Sequence, residues 1–249
     1  MELAGRTALI TGAARRIGRE IALTLAESGV SILIHYHGSR PEALQLKKEI
    51  ESLGSRAWLV RAGFSGTQKS LFPSIKRFVR EVYQYVPQVD ILVNNAAIFY
   101  PTPFGKIREK DWDAFLTVNL KAPFFLAQEI GTRMLRRKSG KIINLVDATA
   151  LRPRVHFLPY AISKAGLIAA TRGLAKALAP HVQVNAVAPG PILPPKGMKA
   201  GDQSKVVQKT LLKHFGDPRD IARAVRFLVE DGDYMTGAVI PVDGGSSLT

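Results

Sequence analysis

A chain of 249 residues, 46% apolar and 22% charged, has the length and composition of one large α/β domain or two small ones, and excludes disordered and fibrous classes. The absence of cysteine removes disulfide scaffolds, thiolate-held metal clusters and thiol nucleophiles. The balance of 35 Lys+Arg against 20 Asp+Glu leaves +15, a charge that suits nucleic acid, an anionic cofactor or an acidic carrier protein equally.

The densest basic cluster, Arg133, Arg136, Arg137, Lys138 and Lys141, falls at a predicted helix end. Cations there complement the helix dipole, and no aromatic residues interleave them as a nucleic-acid surface would require. Nucleic acid is therefore disfavoured as a partner. No run of 18 apolar residues is present, so no spanning helix is expected. The first residues lack a basic segment followed by an apolar one, which makes the cytoplasm the expected location.

In chain order, short runs rich in β-branched residues predict seven strands: Thr7–Thr11, Ser31–Tyr36, Ala57–Arg61, Asp90–Asn94, Lys141–Val146, Val182–Val187 and Ala238–Val242. Between them, apolar positions return every three or four residues over 16–28, 41–53, 67–84, 110–138, 158–179 and 218–230, which predicts helices. Strict alternation implies a doubly wound parallel sheet of the Rossmann type, with helices on both faces and residues 1–249 in one domain. Two Pro/Gly-rich segments, Phe99–Lys106 and Pro191–Lys199, follow strand ends, where open parallel sheets bind ligands. The second stays irregular to about Phe215, and the stretch 191–215 is expected to be a substrate lid.

The first strand runs into Thr11-Gly12-Ala13-Ala14-Arg15-Arg16-Ile17-Gly18. A sharp glycine turn into a helix start offers free N–H groups and a partial positive charge to a pyrophosphate. The second strand ends in His35-Tyr36-His37-Gly38-Ser39-Arg40, with no acid before Glu42. Cations and hydroxyls without a carboxylate favour a 2′-phosphate, so NADPH/NADP+ is the expected cofactor, with Arg15, His37, Ser39 and Arg40 near that phosphate. Tyr160 and Lys164, four apart on a predicted helix, share a face. A phenol is a weak acid, and a neighbouring ammonium is expected to lower its pKa and ready it for proton transfer.

Taken in order, Thr11-Gly12 to Gly18, Asp90, Asn94-Asn95-Ala96, Asn119, Tyr160/Lys164, Pro189-Gly190 and Val242-Asp243-Gly244-Gly245 resemble the short-chain dehydrogenase/reductase family over the whole chain. The resemblance implies that Asn119, Tyr160 and Lys164 are catalytic. It also implies that Gly12, Ile17, Gly18, Phe64, Asn94, Ala96, Pro189 and Gly190 belong to the cofactor site, and that 110–138 and 158–179 pair in a homotetramer.

The departures narrow the expectation. Most family members have serine thirteen residues before the tyrosine, to bind a carbonyl; here it is Asp147. A carboxylate accepts hydrogen bonds from ring N–H and amino groups, so Asp147 points to a nitrogen heterocycle. Arg16 replaces the middle glycine of the turn, and Phe99 is placed to stack on a flat ring. This combination resembles the pteridine reductases. It implies a pterin or folate-like substrate reduced at a C=N bond, with Tyr160 and Asp147 on the proton path and Arg16 and Phe99 orienting the substrate. Gly63 stands where the family usually has an adenine-contacting Asp, and Ala97 where the subgroup often has serine. The alternatives are a 3-oxoacyl-[acyl-carrier-protein] reductase and, in another class, a non-catalytic NADP-sensing or nucleic-acid-binding module. No metal site is expected.

Overall fold

A computed structural model describes residues 1–64, 71–150, 152–194 and 197–249. Seven strands, β1 (Thr7–Ile10), β2 (Ser31–Tyr36), β3 (Ala57–Arg61), β4 (Ile91–Asn94), β5 (Gly140–Leu145), β6 (Val182–Pro189) and β7 (Val239–Val242), form one parallel sheet in the order β3-β2-β1-β4-β5-β6-β7. The expected strands all form: β2 and β3 match at both ends, and the others shift by no more than two residues.

Helices cover both faces, and the two-residue period of the strands feeds two cores. Ala8, Ile10, Ile32 and Ile34 pack with α1 (Arg16–Ala26), α2 (Arg40–Ser52) and α8 (Pro218–Glu230) through Ile21, Leu46 and Val225. Leu9, Leu33 and Leu92 face the other way, onto α3 (Leu71–Tyr85), α5 (Ala122–Arg136) and α6 (Leu158–Leu178) through Phe78, Ile130 and Leu174. Chain connections leave β1 and β4 in opposite directions, which opens a crevice at their carboxyl ends. Among the described residues, no helix is long and apolar enough to cross a membrane.

Two expectations are corrected. The helix expected over 110–138 is two helices, α4 (Glu109–Leu116) and α5, joined by a π turn over Thr117–Lys121. Pro123 has no N–H for the helical ladder, and the Asn119 side chain is bonded to Ile98 instead; both favour the wider turn. The segment 191–215 is not wholly irregular: it holds α7 (Ala200–Gln208), and Gly216 N–H on the Pro191 carbonyl, at 3.0 Å, closes its base. Residues 195–196 of that segment, and 67–70 of the helix expected over 67–84, lie outside the described residues.

Candidate active site

The glycine turn is fixed from three strands. Thr11 Oγ1 accepts the N–H groups of Asn95 (2.9 Å) and Ala96 (3.0 Å), and Asn95 Nδ2 donates to the carbonyls of Thr11 and Gly12. His35 Nδ1 accepts the Gly12 N–H at 3.1 Å. Gly18 has no alternative: a Cβ there would lie 2.4 Å from Gly12 O and 2.5 Å from Asn95 Nδ2. No side chain caps α1 and no acid sits in its first turn, so its leading amides are left for an anion. That donor set fits a pyrophosphate. Ile17 lines the cleft beside it.

Arg16 adopts a left-handed backbone, φ +56°, at the position where glycine was expected, which costs about 1 kcal/mol or more. Its Nη2 donates to Leu193 O at 3.1 Å, so the arginine ties the turn to the segment after β6 across the cleft mouth.

At the end of β2, His37 and Arg40 are exposed and Ser39 stands at the α2 N-cap without a side-chain bond. Arg15 reaches the same helix start, 3.7 Å from Glu42. Gly63 has a structural partner: a Cβ there would lie 2.7 Å from the His37 ring, so the ring occupies the room an aspartate would need. Two expected cofactor residues turn away from the cleft. The Asn94 side chain is buried and donates to Asn144 Oδ1 (2.9 Å) and Pro123 O. The Phe64 ring is buried against His35, centroids 4.6 Å apart, because it completes the core beneath β2 and β3. The cleft-facing residue of the Asn-Asn-Ala run is Asn95.

The catalytic candidates converge at the end of β5 and the start of α6. Tyr160 Oη donates to Asp147 Oδ2 at 2.8 Å. The other oxygen, Oδ1, accepts the backbone N–H of Thr149 (2.7 Å) and its hydroxyl (2.6 Å), which aims the carboxylate at the tyrosine. Lys164 is buried and its Nζ donates to Leu145 O at 2.7 Å. Asn119, wholly buried in the π turn, accepts Ile98 N–H (2.9 Å) and donates to Ile98 O and Ser163 Oγ.

The pKa of Tyr160 moves opposite to expectation. Burial, reinforced by the Asp147 carboxylate, pushes the phenol well above 10, so it stands as a firmly protonated donor. Burial lowers Lys164 to about 8 against the upward pull of Asp147.

A cavity of about 700 Å³ joins Arg16, Asp147, Tyr160, Lys164, Pro189 and Gly190. That is ample for a drug-sized guest. Phe99, 53% exposed, stacks on Phe157 with centroids 4.8 Å apart and planes within 1°, and meets the Tyr160 ring edge-on at 4.8 Å. Sequence reasoning missed Phe157 and Thr149; Met198, Val206 and Phe215, which wall the cavity, fall within the 191–215 stretch expected to be the lid. The Asp-x-Thr spacing was a readable signal for Thr149; nothing local marked Phe157. Among the described residues, no cluster of three His, Asp or Glu could hold a metal.

A family profile described as enoyl-(acyl carrier protein) reductase matches residues 12–247. The 3-oxoacyl-[acyl-carrier-protein] reductase of Staphylococcus epidermidis is 36% identical over 244 residues, covering 96% of this chain and 98% of that protein. The enzyme of the same name from Thermotoga maritima is 34% identical over 249 residues, covering 98% and 99%. Among solved structures, a blue fluorescent protein from a metagenomic library, in complex with NADPH, superposes with a TM-score of 0.89 at 34% identity and covers 99% of each chain. By this breadth of match and the order of its motifs, the chain belongs to the short-chain dehydrogenase/reductase family of oxidoreductases.

Proposed function

We propose that the protein is an NADPH-dependent reductase of a planar nitrogen heterocycle, a dihydropterin or dihydrofolate, acting on a ring C=N bond. The observation that carries this reading is the Asp147 carboxylate, bonded to Tyr160 at 2.8 Å beside the half-exposed Phe99 ring. NADPH is supported by the uncapped start of α1, by the acid-free run from His35 to Arg40, and by the cofactor named for the structural relative.

When bound, the reduced nicotinamide supplies a hydride. Asp147 accepts ring N–H and amino hydrogens of the heterocycle and fixes which edge faces the cofactor. Phe99 stacks on the guest's flat face and Arg16 holds the mouth of the cleft. Tyr160 donates its proton to the ring nitrogen as the adjacent carbon becomes saturated, so the C=N bond ends as CH–NH. Lys164 favours the resulting phenolate. Exposed Trp112, Phe124 and Ile162 on α4, α5 and α6 support a homotetramer formed through these helices.

A second reading, reduction of a 3-oxoacyl thioester, is favoured by the names of the curated relatives. Against it, Asp147 would set a negative charge where negative charge develops on a carbonyl oxygen. The test is NADPH oxidation at 340 nm with dihydrobiopterin, dihydrofolate and acetoacetyl thioesters. Turnover of the heterocycles at least tenfold above the thioesters supports the proposal; turnover of the thioesters alone overturns it.

A further inference from the structure

One histidine beneath the cofactor turn takes no part in the proton chemistry above. His35 lies on β2 with 2% of its surface exposed. Its Nδ1 accepts the Gly12 N–H at 3.1 Å, its Nε2 lies 3.1 Å from Ala62 O, and its own carbonyl accepts the Ala13 N–H at 3.0 Å. The ring is stacked on Phe64 and meets Phe78 edge-on at 5.2 Å.

These contacts determine the tautomer. A ring nitrogen that accepts an amide N–H carries a lone pair, so the proton sits on Nε2 and is donated to Ala62. Protonating Nδ1 would set two donors face to face. We propose that His35 is a positioning residue for the cofactor: its neutral ring pins the Gly12 amide and so sets the turn that presents the free amides of α1 to the pyrophosphate. The inference rests on the dinucleotide-binding reading above, and not on the identity of the reduced substrate.

The surroundings keep the ring neutral. Burial lowers its pKa from 6.5 to about 4; the bond to Ala62 opposes this, and the charge of His37 adds to it. The groups facing the ring from the turn, from the end of β3 and from α3 are Gly12, Ala62, Phe64 and Phe78, none ionisable; Arg61 is bonded to the His37 carbonyl instead.

The experiment compares the wild type with His35→Leu, which keeps bulk but leaves the Gly12 N–H without an acceptor, and His35→Asn, whose amide oxygen can accept it. NADP+ affinity is measured by calorimetry on the whole protein at neutral pH, with thermal unfolding to verify the fold. His35→Leu is expected to weaken NADP+ at least tenfold while kcat at saturating NADPH changes less than twofold, and His35→Asn to recover affinity to within about threefold of wild type. In ¹⁵N spectra the His35 ring is expected to hold the Nε2–H tautomer from pH 7.5 to 5.5. Unchanged NADP+ affinity in a folded His35→Leu, or a His35 ring that gains a second proton within that range, overturns the inference. Failure of the wild type to bind either NADP+ or NAD+ overturns it together with the cofactor reading.

Discussion

At the scale of single residues, the site divides its charges unevenly. Asp147 is held on one side by Thr149 and on the other by Tyr160, so its carboxylate cannot swing away without breaking three bonds. Tyr160 is kept protonated by burial and by that carboxylate. Lys164, lowered by burial to about 8, is the group whose charge changes in the working range. A lysine is cationic below its pKa, and the cation is the form that favours a tyrosinate. The rate of reduction is therefore expected to be level from about pH 6 to about 8 and to fall as pH rises further, approaching tenfold per unit. A pH profile of kcat/KM with saturating NADPH checks this; a rate level to pH 10 would remove Lys164 from the proton chemistry.

At the scale of elements, each catalytic group owes its place to a helix or strand end. Asn119 is delivered by the π turn between α4 and α5, Asp147 by the exit of β5, and Tyr160 and Lys164 by the first turns of α6. These ends were largely legible in the amino-acid order. Thr7–Ile10 and Ser31–Tyr36 announce themselves by β-branched runs, and the four-residue step from Tyr160 to Lys164 fixes their common face. The π turn was not legible, because a widened turn leaves the apolar repeat almost unchanged and its cause is a tertiary bond from Asn119 to Ile98. Nor was α7, whose apolar positions are few and none of whose residues is fully buried. The departure from glycine at Arg16 is legible, but not its left-handed backbone or its side-chain bond to Leu193, 177 residues away in sequence.

The α8 start shows the opposite case, a local signal fully realised. Asp217 and Asp220 form a reciprocal capping box that brackets Pro218. Asp217→Ala is expected to cost about 1 kcal/mol, which in a chain of this size lowers Tm by about 2–4 °C. Differential scanning calorimetry checks this, and an unchanged Tm would show that the box carries no net stability.

At the scale of the whole molecule, the sheet order decides which residues can meet. Because the chain winds one way from β1 to β3 and the other way from β4 to β7, the exits of β1, β4, β5 and β6 open onto one crevice. There Arg16, Phe99, Asp147 and Pro189, far apart in sequence, line a single cavity of about 700 Å³. The scaffold is shared with reductases named for 3-oxoacyl thioesters, so substrate choice falls to the side chains at these exits. The account assigns that choice chiefly to Asp147. Its most direct test is the ratio of kcat/KM for dihydrobiopterin to that for an acetoacetyl thioester, measured in the wild type and in Asp147→Ser with NADPH affinity followed in parallel. The account predicts a ratio well above one in the wild type and a fall of at least a hundredfold in the variant, with NADPH affinity unchanged within threefold. A ratio that does not move, or a variant that loses NADPH and both substrates together, would contradict it.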